Sequence, residues 1–154
     1  MTISRPETLL VITPLSGVDG FWLPPFSARG LTQTLEQIGS DNAVGTLVRR
    51  DINGDLVDLT QPQFRKYATT ITCKDVHAPT LDDAWIGQLV QIDCALELNY
   101  PTGRSASRTE VPGSSRQEGH FTFYRPRITV RIVSVSHGFE EYGADYNWKL
   151  GAQE

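Results

Sequence analysis

No stretch of this chain keeps helical periodicity through three turns. What recurs is a short run of alternating apolar and polar residues, cut off by glycine or proline. Thirteen glycines and nine prolines in 154 residues enforce that punctuation. A strand with alternate apolar residues has one face to bury and must pair with others to bury it. The expected fold is therefore all-β, a single sandwich or barrel-like domain. At 17.1 kDa and 39% hydrophobic residues, there is material for one core.

The runs can be placed one by one. Asn53-Gly54 separates Thr46–Ile52 from Asp55–Leu59, and the dipeptide predicts a type I′ hairpin turn. Tyr67 to Asp75 puts Tyr67, Thr69, Ile71 and Cys73 on one face. Leu89 to Leu98 does the same with Val90, Ile92, Cys94, Leu96 and Leu98, and the two runs are expected to pair as a wide hairpin across Val76–Gln88. Arg127 to Ser136 is a further strand whose apolar positions change face between Ile132 and Val133, the mark of a bulge or of burial on both sides. Asp145–Leu150 alternates cleanly and is expected to close the sheet, with Trp148 as a core position. In Leu31–Ile38 the apolar residues have helical spacing, but the interleaved threonines favour strand.

Two stretches fall outside this pattern. Residues 1–30 carry Pro6, Pro14, Pro24 and Pro25 with the apolar cluster Phe21-Trp22-Leu23, and are expected to form an N-terminal arm to a β domain at 31–154. Residues 101–119 are nearly devoid of apolar groups and are expected to form a long polar loop.

Composition narrows the function. Fourteen basic against eighteen acidic residues give a net charge of −4, which argues against duplex nucleic acid as the main partner. No apolar run is long enough for a membrane-spanning helix, and the start lacks the apolar stretch of a signal peptide. Two cysteines are too few for a disulfide scaffold; Cys73 and Cys94 read as buried reduced thiols, with a disulfide as the alternative. Cys73, His77 and Cys94 lack the paired spacing of a zinc site, so neither a metal nor another cofactor is expected. No nucleophile elbow accompanies His77, His120 or His137, and no phosphate-cradling glycine motif occurs. Asp82, Asp83 and Glu97 are the carboxylates a glycoside hydrolase would need, but nothing in the sequence sets their separation. No catalytic residue is assigned.

Charge is distributed unevenly. From Arg104 to Arg131 there are six arginines and two acids; from Glu140 to Glu154 there are four acids and one lysine. Such a chain can join copies of itself head to tail, and heterologous contacts of that kind build rings. Arg104, Arg108 and Arg116 on one side, Glu140 and Glu141 on the other, and the anchors Phe21 and Trp22 are the candidate interface residues. The alternative is that these charges neutralise each other within one chain.

Four stretches resemble the small β-rich virion proteins of the tail modules of long-tailed bacteriophages. They are Phe26–Leu35, Arg50–Leu59, Phe64–Tyr67 running on through Ile71–Asp75 to Trp85-Ile86-Gly87, and Tyr124-Arg125-Pro126 through Trp148. Where related sequences carry Trp-Pro-Gly, this chain has Trp85-Ile86-Gly87, which keeps the turn glycine and loses the rigid proline. The resemblance implies a non-enzymatic structural subunit in the tail tip, baseplate or tube, or in the neck, assembled in the bacterial host cytoplasm and resident in the virion. Its partners would be copies of itself and other virion proteins. A capsid decoration protein is the alternative within that class. A carbohydrate-binding module using Trp22, Trp85 or Trp148 on a host glycan is the alternative outside it.

Overall fold

The alternating runs become strands. A computed structural model of the chain describes residues 9–15, 30–38, 48–58, 65–82 and 84–154, and among these there is no helix. In chain order the strands are β1 (Val11–Pro14), β2 (Thr32–Gln37), β3 (Val48–Arg50), β4 (Leu56–Asp58), β5 (Tyr67–Asp75) and β6 (Leu89–Asp93). They continue with β7 (Leu98–Pro101), β8 (Thr109–Glu110), β9 (Arg116–Glu118), β10 (Phe121–Tyr124), β11 (Pro126–Glu140) and β12 (Asp145–Gln153).

The main sheet runs β1-β6-β11-β12-β5-β2, with β8 added to the lower end of β11. It curls into a half barrel. The inward face follows the alternation read from the sequence: Ile71 and Cys73 from β5, Val90 and Ile92 from β6, Ile128, Val130 and Ile132 from β11, and Trp148 and Leu150 from β12 are all buried. Leu81 and Ala84, in the Val76–Gln88 connection, join the same core. Gln33 draws the β2 edge inward. Its Oε1 accepts from the Ala95 backbone N–H at 2.8 Å, and its Nε2 donates to Thr69 Oγ1 at 3.2 Å. Two smaller sheets, β7-β10-β9 and β3-β4, lie outside this body.

β11 carries the bulge that the change of face predicts. Its register with β12 shifts between Ile132 and Ser134, leaving Val133 as the extra residue. The bulge is also where β11 loses its other neighbour. Pairing with β6 ends at Arg131 opposite Leu89, followed by hydrogen bonds from Ile132 N to Gln88 O and from Gly87 N to Ile132 O. On the far side, β12 stays paired with β5 up to Tyr146 opposite Asp75.

Other expectations are corrected. β5 does not pair with β6, because β11 and β12 stand between them; sequence neighbours with matching alternation need not be sheet neighbours. The 89–98 run is two strands in different sheets, broken over 94–97. β12 lies inside the sheet and does not close it. Residues 101–119 are not one loop: they contain β8, β9 and the end of β7, since backbone pairing needs no apolar side chains. Residues 11–14, within the stretch expected as an arm, form β1, and Leu10 and Ile12 are buried in the core.

The β3–β4 connection is a hairpin of another type. Gly54 N donates to Asp51 O at 3.0 Å, Asp51 N donates to Asp55 O at 2.8 Å, and Gly54 alone in the loop has positive φ, 84°. This is a three-residue loop with a glycine bulge, not a type I′ turn, which needs positive φ at both central residues. Asp51 Oδ1 selects it by accepting from the backbone N–H groups of Asn53 and Asp55 at 2.8 and 2.9 Å.

Candidate interaction surface

The two cysteines are free and buried in one core. Burial pushes both thiols up to about 12, with the charge of Asp75 adding at Cys73. At Cys94 the Gln33 amide opposes that rise, and Asp93 and Glu154 add to it.

The basic stretch divides into spent and unspent charge. Arg108 is spent inside the chain. Its Nε and Nη2 donate to the two carboxylate oxygens of Glu154 at 2.8 and 2.7 Å, and Nη2 also reaches Arg65 O at 2.7 Å. The guanidinium lies 4.9 Å from the Tyr67 ring centroid, and the Glu154 hydrogen bonds raise its pKa further above the arginine range. Arg116 spans Glu118 at 2.7 Å and Glu97 at 3.1 Å, over the ring of Phe123. Arg127 clamps Asp93, its direct cross-strand partner, with two hydrogen bonds. Glu154, which the sequence reading counts with the acidic end, thus neutralises a basic residue of its own chain. Nothing local signals that pairing, because the partners are 46 residues apart.

Arg108, Arg127, Glu154, Lys66, Ser107 and Thr129 line an open polar cleft of about 580 Å³ on the outer side of β11. Of the carboxylates a hydrolase would use, Glu97 is engaged by Arg116 and Asp82 is exposed, while Asp83 lies outside the described residues. Phe21 and Trp22 also lie outside them.

Charge without a described partner of opposite sign stands at both ends of the molecule's longest run, while the guanidinium groups of Arg125 and Arg131 along it donate only to the carbonyls of Leu9 and Gly87. Arg104 is exposed and pairs with no described carboxylate; it follows the end of β7, which lies against the start of β10. Glu140 and Glu141 are exposed at the β11–β12 hairpin, likewise without a described cation. β10 and β11 are separated by Arg125 alone, so the topology places these groups at opposite ends of one continuous path.

Aromatic groups accompany the acidic end. Tyr142, at the hairpin tip, is fully exposed; Phe139 is 54% exposed and packs its ring 4.7 Å from that of Tyr146. Trp85 and Ile86, each 72% exposed, form a turn closed by Gln88 N donating to Trp85 O, with Gly87 at φ 93°. A positive φ at the third turn position calls for glycine and tolerates any residue before it, so Ile86 serves where proline would also fit. Trp148, by contrast, is buried as expected. No protein-family model matches this chain, and no curated protein or solved structure is found similar to it.

Proposed function

We propose that this chain is a non-enzymatic structural subunit that assembles with copies of itself, in the tail tip, baseplate or tube of a tailed bacteriophage. The observation that carries the assembly reading is the separation of unspent charge: Arg104 at one end of the β10–β11 path and Glu140–Glu141 at the other. Opposite charges at opposite ends suit heterologous contacts, which close into a ring when the rotation between neighbours divides the full turn. The virion setting is supported by the sequence resemblance. Charge exchange tests the assembly. Arg104→Glu alone, and Glu140→Lys with Glu141→Lys, should each weaken the oligomer measured by light scattering, and the three changes together should restore it. A mass unmoved by any of them sinks the head-to-tail reading. Mass spectrometry of separated heads and tails tests the setting and distinguishes a tail part from a capsid decoration protein.

A second reading has one observation in its favour. Trp85 presents most of its indole to solvent, as a sugar-stacking platform does. Binding on a glycan array that is abolished by Trp85→Ala would support a carbohydrate-binding module instead.

A further inference from the structure

We infer that the free edge of β11, from Val133 to Glu140, is the surface on which a second copy of this chain docks, antiparallel and strand to strand. The inference rests on the assembly reading above in one respect, that the partner is another copy.

Beyond the bulge, β11 is paired with β12 on one side, and among the described residues no strand pairs with its other side. Alternate N–H and C=O groups along that edge therefore point outward, which is the template for an added strand. Natural edges are blunted by charge, by proline or by shortness. β1 is four residues long and ends in Pro14. β2 carries Glu36, and its Gln33 is tied to Ala95. The β11 edge, Val-Ser-Val-Ser-His-Gly-Phe-Glu, has one carboxylate in eight residues, at its far end.

The edge is also self-complementary. In an antiparallel pair the two Glu140 side chains lie at opposite ends, whereas a parallel pair would set them together. The same arrangement brings the exposed Tyr142 tip of one copy to the Val133 end of the other. That end is where Gly87 N–H binds Ile132 O and the exposed Trp85–Ile86 turn sits. Two-fold symmetry makes this aromatic contact twice, at the two ends of one strand pair, and aromatic anchors carry much of an interface's binding energy.

A two-fold axis normal to the sheet sets one central position of the edge against itself. Ser136→Cys and His137→Cys are made separately in the full chain and oxidised, with Thr34→Cys on the β2 edge as control. The native thiols are buried and do not interfere. The expected result is a disulfide-linked dimer from one of the two β11 variants and none from the control. The uncross-linked chain should show by light scattering a mass of two chains, or of an even number of chains where the head-to-tail contact also forms, and Tyr142→Ala should raise the dissociation constant of the strand-paired contact about tenfold or more. A single-chain mass at the highest soluble concentration overturns the inference. So does an oligomer that forms no link at either β11 position; if that oligomer responds to the Arg104 and Glu140–Glu141 exchange, the head-to-tail reading survives while the edge falls.

Discussion

The two halves of β11 are one strand in two environments. From Pro126 to Ile132 it pairs with β6 on one side and, on the other, with β8 at Pro126–Arg127 and with β12 from Arg131 on, and every second side chain is sealed in the core. From Val133 to Glu140 it keeps β12 alone among the described strands, and nearly every residue is exposed. The hydrogen bonds to β12 continue across the boundary, so strand identity does not distinguish the halves. What changes is the number of neighbours, and with it the apolar area removed from water. The core explains the lower half. Among the described residues the upper half seals no side chain into the core, and under the docking proposal it serves as the edge that a second copy pairs with.

Substitutions can break or sharpen this contrast. The largest effect is expected from Trp148→Ala, which should cost roughly 3–5 kcal/mol in urea unfolding as a large buried side chain is deleted. A loss below about 1 kcal/mol would mean that β12 does not anchor the core. Ile128→Ala in the lower half should cost roughly 2–5 kcal/mol, while Phe139→Ala in the upper half should cost less than about 1 kcal/mol. Equal losses would erase the distinction between the halves.

The buried thiols give a pH test of the core side. Each thiol is raised from 9.0 to about 12, so the folded chain keeps its protons where the unfolded chain releases them. That contribution to stability is intact below pH 9 and declines as pH rises towards about 12. The urea midpoint should fall more steeply with alkali in the native chain than in a Cys73→Ala, Cys94→Ala variant. Parallel slopes would contradict sealed thiols.

Smaller effects concern the surface. Arg108→Ala should cost about 1–2 kcal/mol, because it strips two charge-assisted hydrogen bonds from Glu154 in a partly open cleft. Arg116→Ala, in the outlying sheet, should leave the urea midpoint where it is. Gly54→Ala should cost roughly 1 kcal/mol from positive φ alone, since a Cβ there meets nothing within 4 Å.

Much of this was legible in the residues. The alternation in Tyr67–Asp75 and Asp145–Leu150 gave strands with their buried faces assigned, and the change of face at Ile132–Val133 gave the bulge. The turn beside Asn53 was legible as a turn but not as its type, because the Asp51 carboxylate competes for the backbone N–H groups of Asn53 and Asp55. The candidate interface was legible only as charge. Arg104, Arg108 and Arg116 look alike in sequence, and the fold sorts them by giving two of them carboxylate partners.

Sequence by itself determined that this chain is all-β and which side of most strands is apolar, because side-chain direction in a strand follows a period of two that needs no partner to define it. Tertiary structure alone decided the order β1-β6-β11-β12-β5-β2, the marriage of Arg108 to Glu154, and the unpaired length of β11. Those depend on which distant backbones come together. A backbone N–H or C=O carries no side-chain label, so its partner is chosen by the packing of the whole core.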